Sequence, residues 1–314
     1  MNRSKAFFLN GGIGRILCAI PALEKYAEES GDKDFLVICE GAVDILKGHP
    51  LLDQKTYDIF HKNLFHSKLQ SRDVVSLEPY RVWEYYNQKC NLSQAFDILI
   101  NNKGVRTLPK PTVMLSKEEI IQGKKLIDEI KNKIKKEKTI IFQPFGRGIE
   151  HIDNTLIDKT SRSIEYKNVK SLIRKLQKEN FAVILMSEFG LDLKDQKYTD
   201  EVAFPEGLNL RQWASVIKHA DHFFGCDSVG QHLSYVVGTP STVVLGPTYP
   251  INTSYPDCEY FNIMDLGEID REYDPIRITM DERITRKNEI LMSMNEDIEE
   301  FAINTIMGRN KDDK

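Results

Sequence analysis

The residues best placed to do chemistry in this 314-residue chain lie between positions 221 and 250, DHFFGCDSVGQHLSYVVGTPSTVVLGPTYP. Asp227 and Ser228 follow an apolar run through Phe223 and Phe224, and His232 stands one to two turns further on. Gly246, Pro247 and Thr248 follow a second, β-branched run at 242–245. Two apolar runs flanking a short helix predict a βαβ unit of a parallel sheet. Both polar clusters then sit at the carboxyl ends of strands, where open α/β sheets bind their ligands. A helix N-terminus at that edge presents free N–H groups and a partial positive charge, which suits a phosphate. These residues therefore point to a nucleotide-type ligand. Asp227 and Ser228 would also serve as plain helix caps, a role compatible with ligand contact, and His232 would also serve as a packed core histidine.

The rest of the chain supplies the elements that must position them. Residues 6–9 predict a strand, followed by the glycine turn Gly11-Gly12-Ile13-Gly14 and a helix over 15–29 with Ile16, Ile20, Leu23 and Ala27 on one side. Residues 35–39 predict a second strand ending at Glu40, and a short helix through Val43 and Leu46 follows. Residues 96–100 read as a further strand. Segment 55–90 is aromatic and basic and reads as an irregular insertion. Its aromatics would complete the core, or would stack on sugars or bases while Lys, Arg and His meet phosphates. The stretch 107–116, with two prolines, reads as an interdomain linker. A charged helix over 116–137 precedes a strand over 139–143 and a Gly-rich loop holding Gly146 and Arg147. A polar excursion to Tyr166, a helix over 168–179, a strand over 181–186 and a helix over 210–219 complete the approach to Asp227. Residues 285–308 predict amphipathic helices, and the tail beyond them predicts disorder.

Composition sets the outer bounds. The chain is 41% apolar and 29% charged, the balance of a globular protein with a sizeable core. Residues 1–110 carry net +2 and the remainder net −6, too mild an asymmetry to indicate nucleic acid. Five cysteines without a Cys-x-x-Cys pair argue against a disulfide framework or a zinc site and fit the reducing cytoplasm. No apolar run reaches the roughly 20 residues of a membrane span. His219 and His222 flank a helix end and a strand start, where packing explains them better than a metal.

The ordered fragments GGIGRILCAIPAL, GAVDILKGHPLLDQ and DSVGQHLSYVVGTPSTVVLGPTYP resemble the heptosyltransferase-type glycosyltransferases of glycosyltransferase family 9. The resemblance implies an α/β chain of GT-B architecture, with two facing doubly wound Rossmann-like domains. Residues 1–110 would form the acceptor-binding domain, residues 111–284 the nucleotide-sugar domain, and residues 285–314 C-terminal helices with the tail. It implies a nucleoside-diphosphate sugar as donor substrate, with no cofactor and no metal. The acceptor it implies is a saccharide or lipid-linked saccharide. Asp227, Ser228, Gly230 and His232 would meet the donor near its phosphates and sugar, Glu188 the nucleoside, and Arg162 the diphosphate charge. Thr248, with Gly246 and Pro247, would close the sugar side. Gly11, Gly12, Gly14 and Arg15 would form the loop at the acceptor or the diphosphate.

Inverting sugar transfer needs a base on the acceptor and stabilisation of the departing diphosphate. Arg147, Arg162, His232 and the backbone at 228–230 are candidates for the second task. The first is harder to assign. The family commonly carries an Asp after the N-terminal glycine turn, and this chain has Arg15 there, which stays protonated and cannot accept a proton. Glu40, Asp44, Asp73 and Glu78 are the replacement candidates, each also readable as an ordinary surface carboxylate. The motif glycine is displaced too, with Val229 in its usual place and the glycine at Gly230. Two other readings stay open on these departures: transfer to a hydroxymethylated base in DNA, as in phage, and a nucleotide-sugar-binding protein without catalysis. The glycine turn alone would also admit a dinucleotide enzyme, with Glu40 its only acidic ribose partner at the second strand.

Overall fold

A strand, β1 (Lys5–Leu9), delivers the chain into the glycine turn, where Gly11 takes φ +88°, a left-handed conformation that side chains disfavour. Helix α1 (Ile13–Glu29) starts at once and buries Ile16, Leu17, Ile20 and Leu23. The computed structural model describes residues 3–146, 148–152, 155–188, 191, 201–272 and 290–309. The chain divides into two units, Met1–Ser116 and Lys117–Lys314.

The first unit is built on a parallel sheet of order β3-β2-β1-β4, with β2 at Leu36–Cys39, β3 at Thr56–Asp58 and β4 at Asp73–Leu77. Both outer strands come from the segment expected to be irregular. Each is short and half open, so apolar patterning is weak there. The segment's aromatics are not mainly core either: Tyr85 is buried, whereas Phe60, Phe65 and Trp83 are exposed. After the short helix α2 (Trp83–Tyr86) comes α3 (Leu92–Asn101), which replaces the strand expected at 96–100. The apolar cluster there is one face of a helix, with Leu92, Ala95, Phe96 and Ile100 buried. A capping box settles the choice: Gln94 N–H donates to Asn91 Oδ1 at 2.9 Å and Asn91 N–H to Gln94 Oε1 at 3.0 Å. Buried Asp97 then accepts from Arg106 Nε at 2.6 Å, and Arg106 Nη1 reaches Glu29 of α1 at 2.7 Å. The proline-containing stretch lies within this unit, with Thr112 Oγ1 3.3 Å from His49 Nε2.

The second unit opens with α4 (Lys117–Ile134), whose buried Gly123, Ile127 and Ile130 form its inner face. Its parallel sheet has the order β12-β11-β10-β5-β8-β9. The strands are β5 (Lys138–Gln143), β8 (Phe181–Leu185), β9 (Val202–Ala203), β10 (His222–Cys226), β11 (Ser241–Leu245) and β12 (Phe261–Asp265). The polar excursion after β5 contains an antiparallel hairpin, β6 (Ile149–Ile152) with β7 (Thr155–Asp158). Helices α5 (Tyr166–Lys178), α6 (Leu210–His219) and α7 (Val229–Val237) connect the strands, and α8 (Pro250–Thr253) is a single turn. Residues 290–309 are not a separate appendage. Met292 and Met294 join the unit's core with Ala302, Ile303 and Ile306, the last three on α9 (Glu296–Ile306). Asn168 of α5 donates to Met294 O and to Glu299 Oε1, both at 2.7 Å. The expected disorder of the last residues, 310–314, lies outside the described residues.

Candidate functional site

Strands β5 and β10 lie side by side at the centre of the second sheet, with Gly225 opposite Gln143. From β5 the chain moves outward through β8 and β9, and from β10 outward the other way through β11 and β12. The connections therefore diverge between β5 and β10, and the carboxyl end of that gap is where such sheets take a ligand. The strand ends deliver Gln143, Asp227 and Ser228 there, the first turn of α7 brings His232, and the neighbouring loops bring Gly146, Arg162 and Thr248.

The contacts explain how each is held. Thr248 Oγ1 donates to Asp227 Oδ2 at 3.0 Å, tying the loop after β11 to the one after β10. Gln231 Nε2 donates to Asp227 Oδ1 at 2.5 Å, and Arg162 Nη1 stands 3.7 Å from Asp227 Oδ2. Arg162 is positioned by a tight turn around Asp158, whose carboxylate accepts from Thr160, Arg162 N–H and both Ser163 N–H and Oγ. Burial would push the Asp158 carboxyl up, but the Ser163 and Thr160 hydrogen bonds outweigh it and hold it below the usual range. Ser163 Oγ in turn receives Gly146 N–H at 3.0 Å. One carboxylate thus organises the loop that carries the arginine.

Ser228 is the N-cap residue of α7, yet its side chain makes no capping bond to the helix. Gln143 takes that role across the sheet: its Oε1 accepts Gly230 N–H at 2.8 Å, and its Nε2 donates to Ser228 Oγ at 3.2 Å. The helix end is therefore partly satisfied by an amide, not wholly open as the sequence suggested. The displaced glycine has a reason here, because a Cβ at Gly230 would stand 2.4 Å from Gln143 Oε1 and 2.5 Å from the Phe223 ring.

His232 joins the site as an uncharged group. Burial lowers its pKa to about 4, with Asp227 opposing and Arg162 adding to the shift, so the imidazole is neutral at pH 7. Its Nδ1 is 2.7 Å from Tyr255 Oη, and Tyr255 stacks on Tyr235 with centroids 3.6 Å apart. It offers a hydrogen bond, not a cation, and of the two expected cations Arg162 is the described one. Cys226 beside the site is raised by burial and stays a protonated thiol. Arg147 lies outside the described residues. Glu188 is exposed at the carboxyl end of β8, one strand removed from the gap. His219 and His222 do pack, Nδ1 of the first 2.8 Å from Ser215 O and Nε2 of the second 2.9 Å from Thr242 Oγ1. Among the described residues no cluster of His, Cys, Asp and Glu is arranged to hold a metal ion.

Sequence reasoning missed Gln143, Asp158, Gln231 and Tyr255. Two of them left a signal. Gln143 is the polar last residue of an otherwise apolar strand, and Asp158 heads the turn-forming run DKTSRS.

In the first unit the strand order places the corresponding divergence between β1 and β4. Arg15 fills it from within. It is 4% exposed, donates from Nη2 to Leu77 O at 3.0 Å, stands 3.5 Å from Glu78 Oε1 and lies over the Tyr80 ring at 5.0 Å. Such a guanidinium packs the unit together and is not presented to a ligand. Glu40, at the end of β2, accepts Gly11 N–H at 2.8 Å and so braces the glycine turn of Gly11, Gly12 and Gly14. Asp44 sits in the short 3-10 helix Val43–Leu46. Asp73 begins β4 opposite Lys5, at the amino end of the sheet and away from the glycine turn, and its ion-pair partner is Arg3 at 3.9 Å. Its position removes it as a base for a ligand at the carboxyl edge.

Two parallel α/β units with these divergence points define a GT-B fold. Solved structures share it along most or nearly all of the chain. A glycosyl transferase family 9 protein from Veillonella parvula is similar at TM-score 0.68 and 11% identity, over 99% of each chain. The E. coli ADP-heptose lps heptosyltransferase II is similar at TM-score 0.61 and 12% identity, over 98% of this chain and 99% of that one. E. coli heptosyltransferase WaaC, solved with ADP, gives TM-score 0.51 and 11% identity over 88% and 98%. No protein-family model and no curated protein sequence matches the chain. Among the described residues no helix is long and apolar enough to cross a membrane.

Proposed function

We propose that this chain is a divergent, heptosyltransferase-like member of glycosyltransferase family 9. In this reading it moves a sugar, with inversion, from a nucleoside-diphosphate sugar to a hydroxyl of a saccharide or lipid-linked saccharide, in the cytoplasm. The observation that carries the reading is the convergence of Arg162, Asp227, Ser228 and Thr248 at the central gap of the second sheet. The diphosphate would meet Arg162, the Ser228 hydroxyl and the start of α7, with the His232 imidazole as a neutral hydrogen-bonding group. Arg162 and these donors would stabilise charge as it develops on the leaving phosphate oxygen. A carboxylate takes the acceptor proton, the acceptor oxygen bonds to the anomeric carbon, and the bond from that carbon to the diphosphate breaks. Glu40 and Glu78 are the candidates left for the carboxylate at the carboxyl edge of the first sheet, with Asp44 nearby in sequence. No resident cofactor is required by these steps.

A second reading is favoured by one observation: a buried arginine occupies the place where the family's base would be. In that case the chain binds a nucleotide sugar and does not transfer it. Incubating the full chain with a panel of sugar nucleotides and saccharide acceptors separates the two. Release of nucleoside diphosphate with a matching mass gain of the acceptor supports transfer. Donor binding without release across the panel supports the second reading. Transfer only to a hydroxymethylated DNA oligonucleotide would shift the acceptor class and leave the donor site as proposed.

A further inference from the structure

We propose that Gln143 is a positioning residue of the second unit's site. By donating to the Ser228 hydroxyl oxygen, it leaves the Ser228 proton to be given to an anionic oxygen of a diphosphate. The inference rests on the diphosphate reading of the gap between β5 and β10. Gln143 is the last residue of β5 and is buried. Two glycines shape its slot. A Cβ at Gly225, opposite it in β10, would stand 2.7 Å from the Gln143 carbonyl oxygen and 3.2 Å from its Cβ. A Cβ at Gly230 would stand 2.4 Å from Gln143 Oε1. A larger residue at either position would displace the amide, so strand and helix both keep it in place.

Donor and acceptor chemistry fixes the direction of each hydrogen bond. The Gly230 N–H can only donate, so the group 2.8 Å from it is the carbonyl end of the amide, Oε1. Nε2, the donor end, then faces Ser228 Oγ at 3.2 Å. A hydroxyl has one proton and two lone pairs, so Ser228 accepts from Gln143 and keeps its proton for another partner. A serine in the N-cap position ordinarily accepts from an N–H of its own helix. Ser228 makes no such bond, because Gln143 already holds the Gly230 N–H. Among the described residues nothing accepts the Ser228 proton. Gly230 is buried, whereas Ser228 is half-buried, so the hydroxyl reaches the open end of the sheet.

The neighbouring carboxylate does not draw that proton back. Asp227 Oδ1 already accepts from Gln231 Nε2, and Oδ2 accepts from Thr248 Oγ1 with Arg162 Nη1 3.7 Å away. A phosphate oxygen at this edge would therefore meet a hydroxyl donor held ready for it, near the Arg162 cation. Donors oriented in advance stabilise developing charge without reorganising as it forms. A side chain at position 143 that could only accept would reverse the arrangement. Ser228 would then donate inward and turn its lone pairs toward the phosphate.

The test is calorimetric titration of the full chain with ADP, UDP, GDP and CDP, followed by a double-mutant cycle with whichever binds most tightly. The variants are Ser228→Ala, Gln143→Glu and the two combined. Gln143→Glu keeps an acceptor for the Gly230 N–H, and its second oxygen takes the Ser228 proton. Ser228→Ala should weaken binding about tenfold and Gln143→Glu about 100-fold. Ser228→Ala made beside Gln143→Glu should add no further loss, because the hydroxyl no longer faces the ligand. Ser228→Ala alone should keep the wild-type melting temperature, since its hydroxyl caps nothing. If Gln143→Glu does not fold, Gln143→Met completes the cycle, and the Ser228→Ala loss beside it should shrink to about twofold or less. Unchanged affinity in Ser228→Ala, or a Ser228→Ala loss that persists in full beside the Gln143 variant, would overturn the proposal and leave the diphosphate site standing. Failure of the wild type to bind any of the four nucleotides would sink the diphosphate reading, and the proposal with it.

Discussion

His222 and His232 are both buried, and burial lowers each pKa to about 4 against 6.5 in the unfolded chain. Below pH 6.5 the unfolded chain therefore takes up protons that the folded chain refuses. Folded stability is intact above that pH and falls as pH drops toward 4, by roughly 3 kcal/mol for each histidine. Urea unfolding between pH 7.5 and 4.5 should show this slope, and His222→Gln should remove part of it; parallel slopes for variant and wild type would argue against a neutral buried imidazole. Arg162 is the side chain expected to carry diphosphate charge. Arg162→Gln should weaken binding of a nucleoside diphosphate about 10- to 100-fold, as loss of a charged hydrogen bond does. Calorimetric titration with ADP, UDP, GDP and CDP would measure it. For the base, Glu40→Gln and Glu78→Gln should separate: the residue that takes the acceptor proton loses turnover while donor affinity is kept. Much of this was legible residue by residue, because Asp227, Ser228 and Thr248 follow apolar runs that mark strand ends. The neutral state of His232 was not, since it depends on burial by residues distant in sequence. Nor was the inward turn of Arg15, which depends on Leu77, Glu78 and Tyr80 arriving beside it.

At the scale of elements, two contacts decide how strands and helices are held. Gln143 joins the end of β5 to the start of α7 through one amide. Gln143→Leu leaves the Gly230 N–H without its acceptor, at a cost of about 1–3 kcal/mol. The urea midpoint should fall accordingly. Helices α4 and α6 meet at Gly123, where a Cβ would stand 2.1 Å from Ser215 Oγ and 2.7 Å from the Ser215 backbone carbon. On an open helix Gly→Ala would stabilise by about 1 kcal/mol. Here Gly123→Ala should destabilise, by about 1–3 kcal/mol, because the two helices are forced apart. A raised melting temperature would contradict that packing. The helices expected over 116–137, 168–179 and 210–219 and the four central strands of the second sheet were readable, with ends shifted by up to three residues, whereas its outer strands β9 and β12 were not. Residues 96–100 were not, because five residues that are apolar except for Asp97 fit a strand as well as a helix face. The capping pair Asn91 and Gln94 was the overlooked arbiter. Strand β4 escaped notice because its register with β1, not its own pattern, makes it a strand.

For the whole molecule, the two units carry separate halves of the proposed chemistry. The second holds the charge and hydrogen-bond donors proposed to meet a diphosphate at the gap between β5 and β10. The first holds the glycine turn, two edge carboxylates and, one strand further out, the exposed aromatic and basic segment. The sequence resemblance to family 9 concentrates in the fragments that form the two glycine-turn and strand-end regions, while the overall fold agrees over nearly the full length at 11–12% identity. What the sequence conveyed least was the first unit's outer half, where short edge strands and outward-facing rings leave no regular apolar period. The central claim is sugar transfer from a donor held by Arg162 and its neighbours. Its most direct test is mass spectrometry of acceptor and released nucleotide, for wild type and Arg162→Gln, with a panel of sugar nucleotides and saccharide acceptors. The account predicts equal amounts of nucleoside diphosphate and glycosylated acceptor from the wild type, and a large loss in the variant. Product formation that is unchanged by Arg162→Gln, or no product with any pair, would contradict it.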